Sequence, residues 1–310
     1  NHITNMKLTS INTTSALARL IPLRSRTVQL AALPLALGSA LSLSAADVTW
    51  TGGTSQGAAP AYWQAGENWS AGVTPTSGDN TILGTGGSTN AYILFDTSDA
   101  EAGSITLSSD LTSHNQILKG STTSGVLNIY GLNGVLVTNR SVRQLQFAQN
   151  GNTYPAVVLK GSGTIGGEVG TNLFYVPLGE AGGSYGFTKT GPNTMVLWTT
   201  KGCTYSGPTT VANGTIQLKL NTAALGTNTI YLAGGSILCS ADRSGVAPTP
   251  SPIVVTGDST LKADGTSTTA PRIFPFSGEF SGTSGTLTID NKGVSGNTFI
   301  VRLLGGFSFS

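Results

Sequence analysis

Short runs of alternating apolar and polar residues recur along the chain, and a glycine precedes several of them. The pattern glycine, any residue, apolar, polar, apolar occurs at 103–107, 125–129, 214–218 and 285–289. Such alternation places successive side chains on opposite faces of a β-strand, and the glycine supplies a tight turn at little steric cost. No segment keeps a helical period over a window of about 11 residues. The sequence therefore predicts an all-β chain built from a repeated turn-and-strand unit.

The predicted strands follow one another at intervals of roughly 10–25 residues. Over residues 90–310 we expect them to form a right-handed parallel β-helix, or β-solenoid, in which each coil pairs with the next. Short spacing also suits hairpins, so a β-sandwich stays open as an alternative. The predicted strands are 91–95, 103–107, 116–118, 126–130, 134–137, 143–147, 157–160, 173–176, 194–198, 215–218, 230–232, 236–238, 253–255, 259–262, 285–289 and 298–303.

The segment 186–218 carries the most regular version of this unit. It reads Gly-Phe-Thr-Lys-x-Gly-x-x-Thr-Met-x-Leu and, after a short gap, Thr-Tyr-Ser-Gly-x-Thr-Thr-Val-x-x-Gly-Thr-Ile-x-Leu. On these residues the chain resembles the autotransporter-associated β-strand repeat, which is found in passenger regions of large bacterial surface and secreted proteins. Pro192 and Pro208 in the turns, and Lys201-Gly202 in the gap, depart from that pattern. The resemblance implies a parallel β-solenoid and brings no catalytic residues with it.

Residues 1–46 have the pattern of a secretory signal peptide. All four charged residues in this stretch are basic, and an apolar run from Leu30 to Leu43 ends at the small residues Ser44-Ala45-Ala46. An uncleaved anchor or a buried helix is the alternative, and both are disfavoured by Pro34 and Gly38 within the run. We therefore predict cleavage after Ala45 or Ala46. The predicted location is secreted or on the outer cell surface of a Gram-negative type of bacterium.

Removal of this leader changes the charge of the chain. The full sequence has 16 basic and 14 acidic residues, so the predicted mature part keeps 12 basic residues and has a net charge of about −2. A basic patch interleaved with aromatic residues is not left, and the sequence therefore predicts no nucleic-acid partner. Charged residues are only 10% of the chain, against about 25% in ordinary domains, which favours a polar, uncharged, stacked β-architecture.

Residues 47–89 are predicted to form an N-terminal cap. They hold Trp50, Trp63 and Trp69, three of the four tryptophans in the chain. The end of a solenoid exposes unpaired strand edges and an apolar interior, which aromatic side chains can cover. The alternative is a platform on which sugar rings stack, and the same three tryptophans are then the candidate glycan-binding residues.

Few residues suit catalysis or metal binding. The predicted mature part has one histidine, His114, which excludes a site with several histidine ligands. Residues 161–166 match G-x-G-x-x-G, but the residues that follow cannot form the helix that a dinucleotide site needs, so we interpret these as corner glycines. Asp96, Asp99 and Glu101 either bind Ca²⁺ or form a solvated turn. We predict no catalytic residues, no cofactor and no resident metal.

Cys203 and Cys239 are the only cysteines. A secreted chain can join such a pair in a disulfide, and the alternative is two small buried thiols. The sequence leaves both open.

The predicted function is a structural or adhesive β-solenoid passenger of an autotransporter-like protein, and not an enzyme. One alternative is a non-catalytic glycan-binding module. Another is a carbohydrate-active β-helix enzyme, which needs carboxylates, or a carboxylate with Arg or Lys, to converge in a groove on one face. The expected partners are surface polysaccharide or the surface of a host or neighbouring cell. The sequence ends at Phe309-Ser310 inside a strand pattern, so we expect a C-terminal truncation, with membrane attachment only through an anchor or barrel outside this sequence.

Overall fold

The computed structural model describes residues 45–52, 61–84, 91–95, 98–112, 115–120, 125–148, 156–220, 225–240, 249–263, 272–290 and 299–309. All of them belong to one compact unit, Leu43–Ser310. The predicted leader up to residue 44 lies outside the described residues, so its cleavage stays a prediction.

The described chain consists of short strands and two single turns of 3₁₀-helix, Gly66–Asn68 and Leu132–Gly134. The strands are β1 Asp47–Thr49, β2 Asn80–Leu83, β3 Ala91–Phe95, β4 Ala100–Ala102, β5 Ser104–Leu107, β6 Gln116–Gly120, β7 Leu127–Ile129, β8 Val135–Asn139, β9 Gln144–Ala148, β10 Val157–Leu159, β11 Gly163–Gly167, β12 Thr171–Phe174, β13 Leu178–Glu180, β14 Phe187–Lys189, β15 Thr194–Leu197, β16 Thr209–Val211, β17 Thr215–Leu218, β18 Ile230–Ala233, β19 Ser236–Cys239, β20 Ile253–Gly257, β21 Ser259–Ala263, β22 Arg272–Phe276, β23 Phe280–Gly282, β24 Leu287–Asp290, β25 Phe299–Leu303 and β26 Phe307–Phe309.

Strands from successive coils pair in parallel and build long sheets. The largest sheet has eleven strands in the order β1-β2-β5-β8-β11-β14-β16-β18-β20-β23-β26. A second sheet has nine, β24-β21-β19-β17-β15-β12-β9-β6-β3, and smaller sheets of four and two strands complete the coils. We call the first two the eleven-stranded sheet and the nine-stranded sheet. Every strand pair in these sheets is parallel, which confirms the parallel β-solenoid and makes the sandwich alternative wrong.

Coil length is shortest where the sequence pattern is most regular. In the eleven-stranded sheet Thr209 pairs with Ile230, 21 positions later, whereas Ile105 pairs with Val137, 32 positions later. The corner of the short coil contains Gly214, whose φ is +68°. A Cβ at Gly214 would lie 2.4 Å from the Gly191 carbonyl oxygen in the coil before. Only a residue without a side chain allows the corners to stack at this distance.

The core is a set of columns running from coil to coil inside the solenoid. Alternation within each strand directs every second side chain inward, as in β17, where Ile216 and Leu218 are buried. Phe147 and Phe174 stack in register with their ring centroids 4.4 Å apart. Each fully buried large apolar side chain contributes about 1.5–3 kcal/mol relative to exposure, so stability comes mainly from stacking between neighbours.

The predicted boundary between a cap and a solenoid is not a boundary in the fold. Within residues 47–89, β1 and β2 are already the first two strands of the eleven-stranded sheet. The residues between them carry the tryptophan cluster, and Trp50 also donates its backbone N–H to the Ile82 carbonyl. The segment therefore begins the solenoid and also brings aromatic side chains to this end of its core.

Candidate functional site

The three candidate glycan-binding tryptophans are buried. Trp50, Trp63 and Trp69 are 1%, 1% and 2% exposed. The rings of Trp50 and Trp63 meet Trp69 edge-to-face, with centroids 4.9 and 4.8 Å away, and Trp69 Nε1 donates to the Trp63 carbonyl over 2.7 Å. No ring face is left for a sugar, so the prediction that these residues stack on glycans is wrong. Their packing suits the alternative role of covering the end of the core.

Two of the candidate calcium ligands, Asp99 and Glu101, accept hydrogen bonds from other residues of the protein. Asp99 Oδ1 accepts a hydrogen bond from the Val126 backbone N–H at 3.0 Å, and Glu101 Oε1 accepts one from the Tyr130 hydroxyl at 2.8 Å. This hydrogen bond, with burial and the negative charge of Glu101, raises the pKa of Tyr130. Asp96 and His114 lie outside the described residues. Across the described part of the chain, no three His, Cys, Asp or Glu side chains group as a metal site would require.

Two of the three glycines of the G-x-G-x-x-G match lie in a strand, whereas Gly161 lies in the bend before it. Gly163 and Gly166 belong to β11, and a turn followed by β12 comes next, where a dinucleotide site needs a helix. A Cβ at Gly166 would lie 2.5 Å from the Thr190 carbonyl oxygen. Gly166 is therefore required by close packing between coils, and the corner interpretation is wrong for Gly163 and Gly166 and correct for Gly161.

The two cysteines are unbonded, buried thiols. Cys239 lies on the inward face of β19, in register with Leu218 and Ala263. Cys203 lies before β16, and its Sγ accepts a hydrogen bond from the Leu178 backbone N–H. Burial raises the pKa of Cys203 to about 12, so the thiol is un-ionised and unreactive at neutral pH. Of the two alternatives, the structure supports the buried thiols.

A groove of about 700 Å³ crosses the outer face of the eleven-stranded sheet at strands β1, β2, β5 and β8. Thr81, Leu83, Ile105 and Leu107 point into the core, so the alternate positions of the same strands face outward. We call this the outer groove. Its polar lining includes Asp47, Asp79, Asn80, Ser104, Thr106 and Arg140.

Asn80 organises the floor of the outer groove. Its Nδ2 donates to Asp47 Oδ1 at 2.8 Å, and its Oδ1 accepts from Ser104 Oγ at 2.9 Å and Thr106 Oγ1 at 3.1 Å. The two hydroxyl oxygens retain lone pairs that can accept hydrogen bonds from a ligand. Asp79 Oδ2 accepts from the backbone N–H and the hydroxyl of Thr76. Fixed acceptors next to one arginine suit a ligand rich in hydroxyl groups.

The residues of the outer groove were not among the candidates predicted from the sequence. Each of them is ordinary for an exposed strand or turn, and the signal that was present is the serine or threonine at outward positions of the alternating pattern, as in β5. The placement of Asp47, Asp79 and Arg140 around one groove depends on three separate coils. Local spacing in a sequence cannot show such a convergence.

A buried lysine holds one corner of the central coils. The Lys189 side chain is 0% exposed, and its Nζ donates to the carbonyl oxygens of Thr190, Gly191 and Asn213 at 2.7, 2.8 and 3.3 Å. These three bonds use all the donors of an ammonium group and join two successive corners. Burial lowers the pKa of Lys189 to about 8. With no donor left over, the ammonium acts as a structural clamp between coils.

The comparisons with known proteins identify no relative, because no family model, no curated protein and no solved structure matches the chain. Within the described residues, no helix has both the length and the apolar character needed to cross a membrane.

Proposed function

We propose that this chain is a structural or adhesive β-solenoid that is exported to the cell exterior, as the sequence resemblance implies. The observation that carries the proposal is the use of charged side chains as links between coils. Asp99, Glu101 and Asp258 each bind a group 27 to 29 residues further along the chain. Lys189 also links two coils, because its Nζ donates to the Asn213 carbonyl oxygen 24 residues further along the chain. Charged side chains act as catalytic acids and bases in enzymes. In this chain these four side chains form hydrogen bonds that hold neighbouring coils together.

Export is supported by the leader pattern of residues 1–46. The test is expression of the full chain in a Gram-negative host, followed by cell fractionation and mass spectrometry of its N-terminus. We expect the exported chain to begin at Ala46 or Asp47 and to survive protease added outside the cell. The matched control is Leu37→Arg, which places a charge in the apolar run and should block export. Retention of the unprocessed wild-type chain in the cytoplasm contradicts the export part of the proposal, and rapid digestion contradicts the structural part.

A second candidate function is carbohydrate processing in the outer groove, and the observation that favours it is the presence of Asp47, Asp79 and Arg140 around one cavity. Two carboxylates, or one with an arginine, are the minimum set for such chemistry. The test is release of new chain ends from a panel of polysaccharides by wild type and by Asp47→Asn. Asp47 is exposed, so this variant should fold. Turnover that is lost in the variant supports the enzyme, and equal turnover by both proteins contradicts it.

A further inference from the structure

Trp198, the tryptophan outside the N-terminal cluster, lies on the surface. In β15 the side chains of Met195 and Leu197 are fully buried, so alternation turns Trp198, the next residue, outward. Its side chain is 37% exposed, whereas the other three tryptophans are at most 2% exposed. A large aromatic side chain at the surface of a polar, weakly charged protein marks a candidate contact with a partner.

Trp198 is the middle of a column formed by one residue from each of three successive coils. The Tyr175 ring stacks on it with centroids 5.2 Å apart and a 29° angle between planes. On the neighbouring coil, Lys219 Nζ lies 5.5 Å from the centroid of the Trp198 ring, within the range of a cation–π contact. We call Tyr175, Trp198 and Lys219 the aromatic column.

The backbone holds this column in position. The N–H of Trp198 donates to the Phe174 carbonyl at 2.7 Å, and the N–H of Lys219 donates to the Leu197 carbonyl at 2.9 Å. These bonds continue the ladder of the nine-stranded sheet by one residue. The three side chains therefore repeat at the spacing of neighbouring strands, about 4.8 Å. A site built on rigid strands keeps its geometry without a ligand.

Apolar residues lie beside the column, and hydroxyl groups line its far side. Leu173 and Val196 occupy the outward positions two residues before Tyr175 and Trp198, and both are buried. The next outward positions form a register-matched column of hydroxyl residues along the nine-stranded sheet. This column consists of Thr171, Thr194, Thr215, Ser236, Thr260 and Thr288. A repeating face with one apolar and one hydroxyl side matches a repeating polymer better than a compact ligand.

The charge around the column is positive. Lys201 follows Trp198 by three residues and is exposed, and Lys219 lies over the ring. Between residues 156 and 220 the acidic residues are Glu168 and Glu180. Glu180 Oε2 accepts a hydrogen bond from the Tyr185 backbone N–H, and hydrogen bonds to Ser206 and Tyr185 lower its pKa against the effect of burial. Lys219, which lies over the ring, and the exposed Lys201, three residues after Trp198 in the sequence, are therefore the charges that we assign to meet a ligand.

We propose that the aromatic column binds an acidic polysaccharide that lies along the stacked coils. Because Tyr175 and Lys219 lie over the Trp198 ring from the two neighbouring coils, the sugar rings would pack against the exposed edges of Trp198 and Tyr175. The hydroxyl groups of the polysaccharide would meet the column of hydroxyl residues, and its carboxylates would pair with Lys219 and Lys201. An aromatic body with a few polar groups in fixed positions is the usual composition of such a site. The inference deepens the adhesive part of the proposed function and rests on it.

The test uses the purified full chain with polygalacturonate as the acidic probe and dextran as the neutral one. Because the other tryptophans are buried, quenching of tryptophan emission by acrylamide reports mainly on Trp198. We expect polygalacturonate to protect the emission from quenching and dextran to leave it unchanged. Trp198→Ala should weaken polygalacturonate binding, measured by calorimetry, by at least about tenfold, equivalent to about 1.4 kcal/mol.

Two further variants separate binding from folding. Lys219→Gln keeps the length of the side chain close to that of lysine and should weaken binding mainly at low salt, because it removes one charge. Tyr231→Ala is the matched control, since Tyr231 is a half-buried outward aromatic residue on β18 of the other large sheet, and it should bind as wild type does. Equal binding of dextran, unchanged binding by both column variants, or no binding of polygalacturonate by wild type overturns the inference. These assays use purified protein, so their outcome is independent of whether the chain is exported.

Discussion

At one end of each large sheet, a large apolar side chain is buried in the next-to-last strand and exposed at the matching position of the last strand. Phe280 and Phe307 are register partners in the eleven-stranded sheet, yet Phe280 is 0% exposed and Phe307 is 58% exposed. In the nine-stranded sheet, Leu261 is 1% exposed and its partner Ile289 is 50% exposed. Within each pair the two side chains project from the same face of the sheet. The difference is that the buried residue has a further strand on its outer side, and the exposed residue has none in the part of the chain that the structure describes.

The difference shows that alternation and burial are separate properties in a solenoid. A strand sets the direction of its side chains by itself, because successive residues point to opposite faces. Burial also requires neighbours on both sides along the stack, since stability in repeat architectures is a sum of terms between adjacent repeats. Phe280 in β23 has β20 and β26 on its two sides, whereas Phe307 in β26 has β23 alone among the described strands. The same substitution at a buried position and at its exposed register partner therefore measures how much one interface between coils contributes to the free energy of unfolding.

The largest expected effect is at the phenylalanine pair. Phe280→Ala should lower the free energy of unfolding by about 3–5 kcal/mol, because it leaves a cavity between two packed coils. Phe307→Ala should lower it by about 1 kcal/mol or less, since most of this ring is in solvent. Denaturant unfolding followed by circular dichroism measures both. Equal losses for the two variants would contradict the conclusion that the burial of a side chain depends on a neighbouring coil and not only on the face of the strand from which it projects.

The next effect concerns the glycine corners. Gly214→Ala should cost about 2–5 kcal/mol, because its φ of +68° disfavours a side chain by about 1–2 kcal/mol and the new methyl group adds about 1–3 kcal/mol of overpacking. That methyl group would lie 2.4 to 2.7 Å from Gly191 O, Asn193 O and Lys189 Nζ.

Two glycines with open space around them separate these contributions. Gly134 has a φ of +74° and no atom within 4 Å of an added Cβ, so Gly134→Ala should show the conformational cost of about 1–2 kcal/mol alone. Gly306, just before the last strand, also has open space, and Gly306→Ala should change stability by less than about 0.5 kcal/mol. Thermal unfolding of the three variants gives the order, and a Gly214→Ala variant as stable as Gly134→Ala contradicts the close stacking of the central corners.

A smaller loss is expected at the buried clamp. Lys189→Met keeps the chain length and removes the ammonium group, leaving three carbonyl oxygens of two central corners without their donor. The expected loss is about 1–3 kcal/mol. Lys201→Met is the control at an exposed position and should stay within about 0.5 kcal/mol of wild type. A Lys189→Met protein that unfolds at the wild-type denaturant concentration would show that the clamp does not hold the corners.

The smallest effect is the dependence of stability on pH. Burial lowers the pKa of Lys189 from 10.5 to about 8, so above pH 8 the folded chain releases a proton that the unfolded chain keeps. Stability should therefore rise by about 1 kcal/mol between pH 7 and pH 9. Burial raises the pKa of Cys203 from 9.0 to about 12, and because the unfolded thiol ionises first, this offsets the rise above about pH 9 and reverses it above about pH 10. Denaturant midpoints of wild type across this range should show a maximum, and Lys189→Met should lose the rising limb.

Many of the strands could be predicted from the sequence, because the alternation of inward and outward side chains depends only on residues within the same strand. The predicted strands 91–95, 194–198 and 215–218 match β3, β15 and β17 to within one residue. Several strands were not predicted, among them β14 and β16, which are three residues long and each direct one polar side chain inward. Lys189 and Thr209 both point into the core and are satisfied there, Thr209 by the Tyr205 hydroxyl at 2.6 Å. A strand whose inward position is polar, with its hydrogen-bond partner also inside the core, does not show the alternation of apolar and polar residues from which strands were predicted.

The candidate sites were less predictable than the fold, because they depend on which coils are neighbours. The outward position of Trp198 could be derived from the burial expected of Met195 and Leu197. Its contact with Tyr175 and Lys219 required the register of three coils. The burial of Trp50 could not be derived, since its partner Trp69 reaches it through an irregular segment whose path no pattern specifies.

The hydrogen bonds between coils run from one coil to the next along the stack, which has a mechanical consequence. Tension applied between β1 and β26 would act on successive coil interfaces in series, and the weakest interface would open before the others. At the centre of the stack, two successive corners are joined by Lys189 in addition to the backbone pairing of β14 with β16, because its Nζ donates to the Gly191 and Asn213 carbonyl oxygens. We therefore expect the two coils joined by Lys189 to separate at a higher force than coils held by backbone pairing alone.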